Sequence, residues 1–343
     1  MKVRRPEGEE AVRRFANTPS GYKALLGYLL GRQSEPMRVC LEASGNYSLD
    51  VALALAARAA IELEVVNPKA ARHFAQSLEQ RSKNDPVDSA VLLEYAARMP
   101  FTRWQPPREQ DLQLRAITRQ LSSLTQERAT FRCRLHAAEV ANSTPACVVR
   151  ELRQTIAHLQ RSLARLSKAA LALVNRDPLL QRRLQLLDSP KGIGEATALA
   201  VLGEPVVIGE RSARELTQHA GLDVVEFPSG TSVHKRPHIS HAGNAYLRRA
   251  LYMSALTAAH QEPYLSAFYQ RLLAAGKEKM QALVAVMRKL LHAIVGMFRH
   301  DQPYDGARLC PPGWSGAMKK EERFSATSPE KKKACVLTEN LRG

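Results

Sequence analysis

The chain has 343 residues, 45% of them hydrophobic, enough for two or three domains with cores of their own, which excludes a disordered tail protein. Lys and Arg number 50 against 33 Asp and Glu, so the formal charge is +17, a balance that favours a polyanionic partner, nucleic acid first. Five scattered cysteines without a CxxC pair exclude a disulfide framework or a cysteine zinc cluster, no uninterrupted apolar run approaches the roughly 18 residues of a membrane span, and MKVRRPEGEEAVRRF lacks the apolar core of a secretion signal. A reducing cytoplasm is the expected compartment, with no membrane partner.

Residues 20–34, SGYKALLGYLLGRQS, carry apolar side chains at helical spacing, and the bounded run MRVCLEAS after them predicts a buried strand that bears Glu42. Gly45 and Asn46 turn the chain into the Ala/Leu-rich helix LDVALALAARAA, and IELEVVNP predicts a second strand ended by Pro68. Strand, helix and strand form a crossover unit. A helix over Ala70–Leu78, a polar loop SKNDP and a helix from near Asp88 follow, and Pro100, Pro106 and Pro107 close an α/β domain over residues 1–105.

Over residues 106–187, Leu112, Ile117, Leu121 and Leu124, then Leu152, Ile156, Leu159, Leu163 and Leu166 recur every three or four residues. This spacing predicts two long amphipathic helices, and NSTPAC at 142–147 folds them into an antiparallel, coiled-coil-like arm. Residues 101–190 hold 15 basic and 7 acidic side chains, a surplus of +8, and residues 191–300 add +5. On one isolated helix such a charge would be an ordinary solvated face; beside the motifs below it favours nucleic-acid or partner contact. Residues 188–302 read as a mostly helical globular domain, and 303–343, rich in Pro, Gly and Ser with Lys331–Lys333, as a mobile basic tail.

Three constellations carry chemistry. In SPKGIGEATALAVLGE (189–204), Gly192 and Gly194 flank Ile193 before a helix; this fits a helix-hairpin-helix element whose helix amides face a DNA phosphate, and equally a plain glycine-bearing helix start. Glu42 at a strand end, with Asp85 and Asp88 three residues apart at a helix start, is a carboxylate set of the kind Mg²⁺ or Mn²⁺ takes, although either aspartate alone would serve as a helix cap. In FPSGTSVHKRPHISHAGNAYLRRAL (227–251), Ser229 precedes Gly230 among Lys235, Arg236, Asn244, Arg248 and Arg249. A hydroxyl among fixed cations can attack a phosphodiester, or the segment can bind phosphate without chemistry. A zinc site at His234, His238 and His241 is disfavoured by Arg236 between them and by the lack of a further ligand.

Taken in order, LEASGNY (41–47), VVNP (65–68), SKNDPVDSAVLLEY (82–95), SPKGIGEATA (189–198), AGLDVVEFPSG (220–230) and ISHAGNAYLRRAL (239–251) resemble the DEDD transposases of insertion-sequence family 110, subgroup 1111, over about residues 1–300. The resemblance implies a fold that is α/β plus α: an RNase H-like (RuvC-like) N-terminal domain, a coiled-coil arm, and a mostly helical C-terminal transposase domain with a nucleophilic serine. It also implies Mg²⁺ or Mn²⁺ as cofactor, element and target DNA as partners, a structured guide RNA encoded by the element, a homo-oligomer (dimer or tetramer), and action at the nucleoid. By position, Glu42 matches the glutamate of an E-A-T-G-like motif, Asp85 and Asp88 the pair of a K-T-D-x-x-D-like motif, and Ser229 the serine of an S-G motif; Ser44 and Asn84 stand where threonine is usual. The family opens on a strand with a first aspartate in a G-I-D-V-like motif, whereas this chain begins at MKVRRPEGE, with Glu7, Glu9 and Glu10 in a turn and Glu35 in a loop. The chain as written is therefore expected to bind nucleic acid and to be deficient in strand cleavage.

The leading expectation is a transposase/recombinase in which Ser229, with Ser232 as fallback, attacks a backbone phosphate while Glu42, Asp85 and Asp88 hold metal, and Gly192, Gly194, Lys235, Arg236, Asn244, Arg248 and Arg249 contact nucleic acid. The alternatives are a truncated, catalytically silent DNA/RNA-binding relative and a metal-dependent junction nuclease.

Overall fold

The computed structural model describes residues 2–4, 10–31, 37–78, 85–204, 207, 211–225, 228–229, 233–234, 238–240 and 242–309. The chain divides into two compact units, 1–109 and 110–343.

In the first unit, β1 (Lys2–Arg4) and β2 (Glu10–Val12) form an antiparallel hairpin, Lys2 opposite Val12. Glu10, expected in a turn, sits on β2. Its carboxylate pairs with Lys2 Nζ at 2.6 Å and with Arg4 at 2.8 Å, and Arg4 also reaches Glu94. These cations hold both carboxylates below the usual range.

After α1 (Pro19–Leu30), β3 (Met37–Glu42) and β4 (Ile61–Val66) run parallel, joined by α2 (Asn46–Ala56) as the crossover such a pair needs. Alternation sends Met37, Val39, Leu41, Ile61, Leu63 and Val65 to one face, where they pack with Leu25 and Leu29 of α1 and Ala52 and Leu55 of α2. The far edge of β4 receives the Trp104 amide at Leu63 O, 2.7 Å. The next helix, α3 (Pro68–Ser77), starts earlier than expected because Asn67 caps it, accepting from the Lys69 amide at 2.8 Å, with Pro68 at its first position. Its successor α4 (Asp85–Arg98) likewise starts at Asp85, with Pro86 in its first turn, and packs against β3 and β1.

In the second unit, α5 (Glu109–Val140) and α6 (Ala146–Val174) are long, about 45 Å each at the helical rise. Leu114 of α5 and Ala170 and Val174 of α6 enter one core, while Arg153 pairs with Glu139 at 2.7 Å across the connecting turn, so the two helices are antiparallel. Sheltered positions recur at heptad spacing, at Leu121, Leu124, Arg128, Phe131, Leu135 and Ala138 on α5 and at Leu152, Ile156, Leu159, Leu163 and Leu166 on α6. Arg132, Arg134, Arg150, Arg161 and Arg165 face solvent.

The core continues through α7 (Pro178–Leu187), α8 (Glu195–Leu202), α9 (Ala213–His219), α10 (Ala245–Gln261), α11 (Pro263–Ala274) and α12 (Lys279–His300). Length and hydropathy alone would let α12 cross a membrane, but ten of its residues, from Ala282 to Met297, are buried in this core. Two sequence boundaries shift. The Asp177 cap and Pro178 end α6 and start α7, which packs on α8 and α12 rather than extending the arm. Residues 303–309, expected in a tail, hold α13 (Gly306–Leu309), where Lys289 Nζ donates to Leu309 O at 3.1 Å. The remainder of the expected tail, with Lys331–Lys333, lies outside the described residues.

Candidate active site and nucleic-acid interface

The register that pairs Cys40 with Glu64 and Glu42 with Val66 places Arg38, Cys40, Glu42, Glu62, Glu64 and Val66 on the sheet face away from the apolar core. That face is the one α4 covers, since the Tyr95 phenol is raised first by burial and then by Glu64 and Cys40. Phe101, just past α4, lies 5.2 Å beneath the Arg38 guanidinium near the start of β3. The helix therefore runs against the strand direction, and its first turns, with Asp85 and Asp88, fall at the strand end that carries Glu42. Asp88 and Glu42 are half-buried; the Asp85 side chain lies outside the described residues.

Glu64 is 7% exposed, and its Oε2 has no hydrogen-bond partner among the described residues. Among the described residues, no three His, Cys, Asp or Glu side chains stand close enough to hold an ion. These are hard oxygen donors, one of them buried and unpaired, and they fit Mg²⁺ or Mn²⁺ in kind. Burial, then Glu64, pushes the Cys40 thiol up to about 12, whereas Cys133 and Cys147 are exposed. Iodoacetamide on the native protein at mildly alkaline pH should label the Cys133 and Cys147 peptides and spare Cys40, which has almost no thiolate there. Equal labelling of all three in a peptide map would contradict the burial of this face.

Ser229 lies on a short strand rather than a free loop. Strands β5 (Val224–Val225) and β8 (His238–Ile239) pair antiparallel, and beyond them β6 (Pro228–Ser229) pairs with β7 (Val233–His234), Ser229 opposite Val233. The hairpin base is closed by the Ser240 hydroxyl donating to Asp223 Oδ1 at 2.5 Å and by the Ser240 amide on Asp223 O at 2.9 Å. Ser229 thus occupies the last described rung. Its side chain and that of His234, together with Ser232, Lys235, Arg236 and His241, lie outside the described residues.

The expected nucleic-acid contacts separate into two kinds. Asn244 caps α10, accepting from the Tyr246 and Leu247 amides at 3.0 and 3.1 Å, and its own amide donates to His219 O at 2.7 Å. Gly243 before it has φ 143°, and a Cβ there would stand 2.2 Å from His219 O, so this corner requires glycine. Arg248 donates to Ala220 O and Arg249 to Ser122 Oγ on α5, each at 2.8 Å. These three motif residues tie α10 to α9 and to the root of the arm, so each already has a structural partner.

At that root, Arg119 grips the buried Glu204 at 3.0 and 3.1 Å and lies 4.9 Å over the Tyr246 ring. Neighbouring Arg115 is held below its ordinary value by burial and by Arg119, and the His219 imidazole is lowered by burial first. Arg115, Arg119 and His219 had no sequence signal beyond the general arginine surplus. In the 188–194 turn, Gly192 has φ 108° and packs against α10, Ile193 is buried, and Gly194 starts α8 with open space at its Cβ position.

A parallel βαβ pair with a carboxylate-bearing helix against it is compatible with the RNase H-like fold of DEDD transposase domains. The family model of DEDD transposases of IS110 elements matches residues 2–138, and that of the IS116/IS110/IS902 transposase family matches residues 184–270. The pilin gene-inverting protein of Moraxella lacunata is 30% identical over 298 residues, covering 85% of this chain and 89% of that protein, and its Moraxella bovis counterpart is 29% identical over the same shares. An uncharacterized 43.6 kDa protein of insertion element IS110 from Streptomyces coelicolor is 32% identical over 124 residues, 35% of this chain and 30% of that one. The fold and matches define a DNA transposase/recombinase, an enzyme whose partner is DNA. The chain belongs to the IS110 family of transposases.

Proposed function

We propose that this enzyme cuts and rejoins DNA through a phosphoserine link at Ser229, with Glu42, Asp85 and Asp88 holding a divalent cation and a structured RNA of its element selecting the DNA. The reading is supported chiefly by how the two family matches fall: one spans the three carboxylates and the other spans Ser229. The Ser229 hydroxyl oxygen bonds to phosphorus, the bond from phosphorus to one sugar oxygen breaks, and the hydroxyl proton passes to a base as the sugar oxygen is protonated. Attack by a sugar hydroxyl of the other duplex reverses the link and frees the serine, so no external energy source is needed. Bound Mg²⁺ or Mn²⁺ would supply Lewis-acid stabilisation of charge on the phosphate. Lys235 and Arg236 are assigned to the same phosphate, and the exposed arm arginines and Arg115 to the nucleic-acid backbone.

The names of the Moraxella relatives extend this proposal to inversion, in which both exchange sites lie on one DNA molecule. The active species is proposed to be a homo-oligomer working at the nucleoid in the cytoplasm. One observation favours a second reading, binding without cleavage: no metal-holding trio is assembled among the described residues. A third reading, a metal-dependent junction nuclease, would cleave without a covalent link.

Binding is tested by salt. With surpluses of +8 over 101–190 and +5 over 191–300, most contacts are expected at phosphates. Neutralising about six of them on duplex DNA lowers affinity about a thousandfold between ~50 and ~200 mM salt. Titrations at several salt concentrations should show that slope, and the element's own RNA should bind above random RNA of equal length. A flat slope, or no RNA preference, would contradict the assignment.

A further inference from the structure

Glu64 lies two residues along β4 from the position paired with Glu42 and projects from the same sheet face, one strand over. Strand spacing and rise put the two Cα atoms about 8 Å apart, within reach of two glutamate side chains that share one cation. The position is costly for a spectator: a carboxylate 7% exposed, with Oε2 unpaired, loses its hydration and gains no hydrogen bond in return. Its surroundings are the Cys40 thiol on β3 and the Tyr95 phenol on α4, and neither is a cation. Arg38 is engaged with Glu62, and Arg4 and Arg98 with Glu94. A divalent cation at the strand end would complete the valence of the buried oxygen.

We infer that Glu64 is a fourth carboxylate of the divalent-cation site, drawn with Glu42, Asp85 and Asp88 onto the metal at the C-terminal end of β3 and β4. The inference rests on the metal-assisted reading above and adds an oxygen ligand from a neighbouring strand to a cation that takes six of them. Mn²⁺ binding to the full chain without nucleic acid, followed by calorimetry or by the spin-resonance signal of free Mn²⁺, tests it independently of recombination. Glu64→Gln keeps the shape and removes the charge; it should weaken Mn²⁺ about tenfold or more, and melt in EDTA no lower than the wild type, because a buried unpaired charge has gone. Glu64→Asp, which keeps the charge but withdraws it by one methylene, should weaken Mn²⁺ too, and it decides the matter if the glutamine variant does not fold. Wild-type affinity in either variant, with Glu42→Gln deficient, overturns the role of Glu64 alone. Failure of the wild type itself to bind Mn²⁺ overturns the metal-assisted reading and this inference together.

Discussion

Replacing Ser229 by alanine is expected to abolish the denaturant-resistant protein–DNA adduct and to lower recombination by at least about 10³-fold, the scale on which removal of a nucleophile acts. Binding of DNA and RNA should be unchanged, because phosphate contacts come from cations elsewhere on the chain. Folding should also be unchanged: Ser229 takes part in its ladder through backbone groups opposite Val233, and alanine keeps those groups. Gel analysis under denaturing conditions reads the adduct, and filter binding reads affinity. An undiminished adduct in Ser229→Ala would remove the assignment and turn attention to Ser232.

Gly192→Ala should lower stability markedly. A Cβ at this position would stand 2.8 Å from Ser254 O and 3.0 Å from Ala258 N, backbone atoms of α10 that cannot swing aside, and φ is 108°. Positive φ costs a side-chain-bearing residue about 1–2 kcal/mol and overpacking a further 1–3, so about 3 kcal/mol is expected. For a unit of this size that lowers the melting temperature by roughly 6–12 °C. Gly194→Ala meets nothing within 4 Å at ordinary φ and should cost less than about 1 kcal/mol. Calorimetry of the two variants separates the roles of the two glycines. If Gly192→Ala melts like the wild type but loses DNA affinity, that glycine serves the ligand and not the packing against α10.

Much of this was legible in the sequence because it rests on local periodicity. The bounded runs MRVCLEAS and IELEVVNP became β3 and β4, and the heptad spacing of leucines became the long helices of the arm. What escaped depends on chemistry that a period does not encode. Pro68 reads as the end of a strand and Pro86 as part of a polar loop, when each sits in the first turn of a helix, where its missing amide hydrogen is no loss. The β1–β2 hairpin is made by Lys2, Arg4 and Glu10, charged residues that look like a solvated turn, and it is docked by Arg4 on Glu94 ninety residues away.

At the candidate site, residue type and spacing single out Glu42 and the aspartates. They do not single out Glu64, because strict alternation in IELEVV assigns it to solvent, and only α4 lying on that face buries it. Asn244, Arg248 and Arg249 were assigned to ligand from their cationic or polar type. Their bonds to the α10 amides, Ala220 O and Ser122 Oγ depend on tertiary neighbours that no local pattern reveals.

The central claim is that one chain supplies a serine for covalent exchange and carboxylates for metal. The most direct measurement traps the wild-type protein on its element's supercoiled DNA, with the element's RNA and Mn²⁺, in denaturant. Nuclease and protease digestion then leaves peptides for mass spectrometry. The account predicts a nucleotide remnant on the peptide containing Ser229 that forms only with the divalent cation present. A remnant on any other residue, or metal-dependent cleavage that leaves no DNA attached to protein, would contradict it.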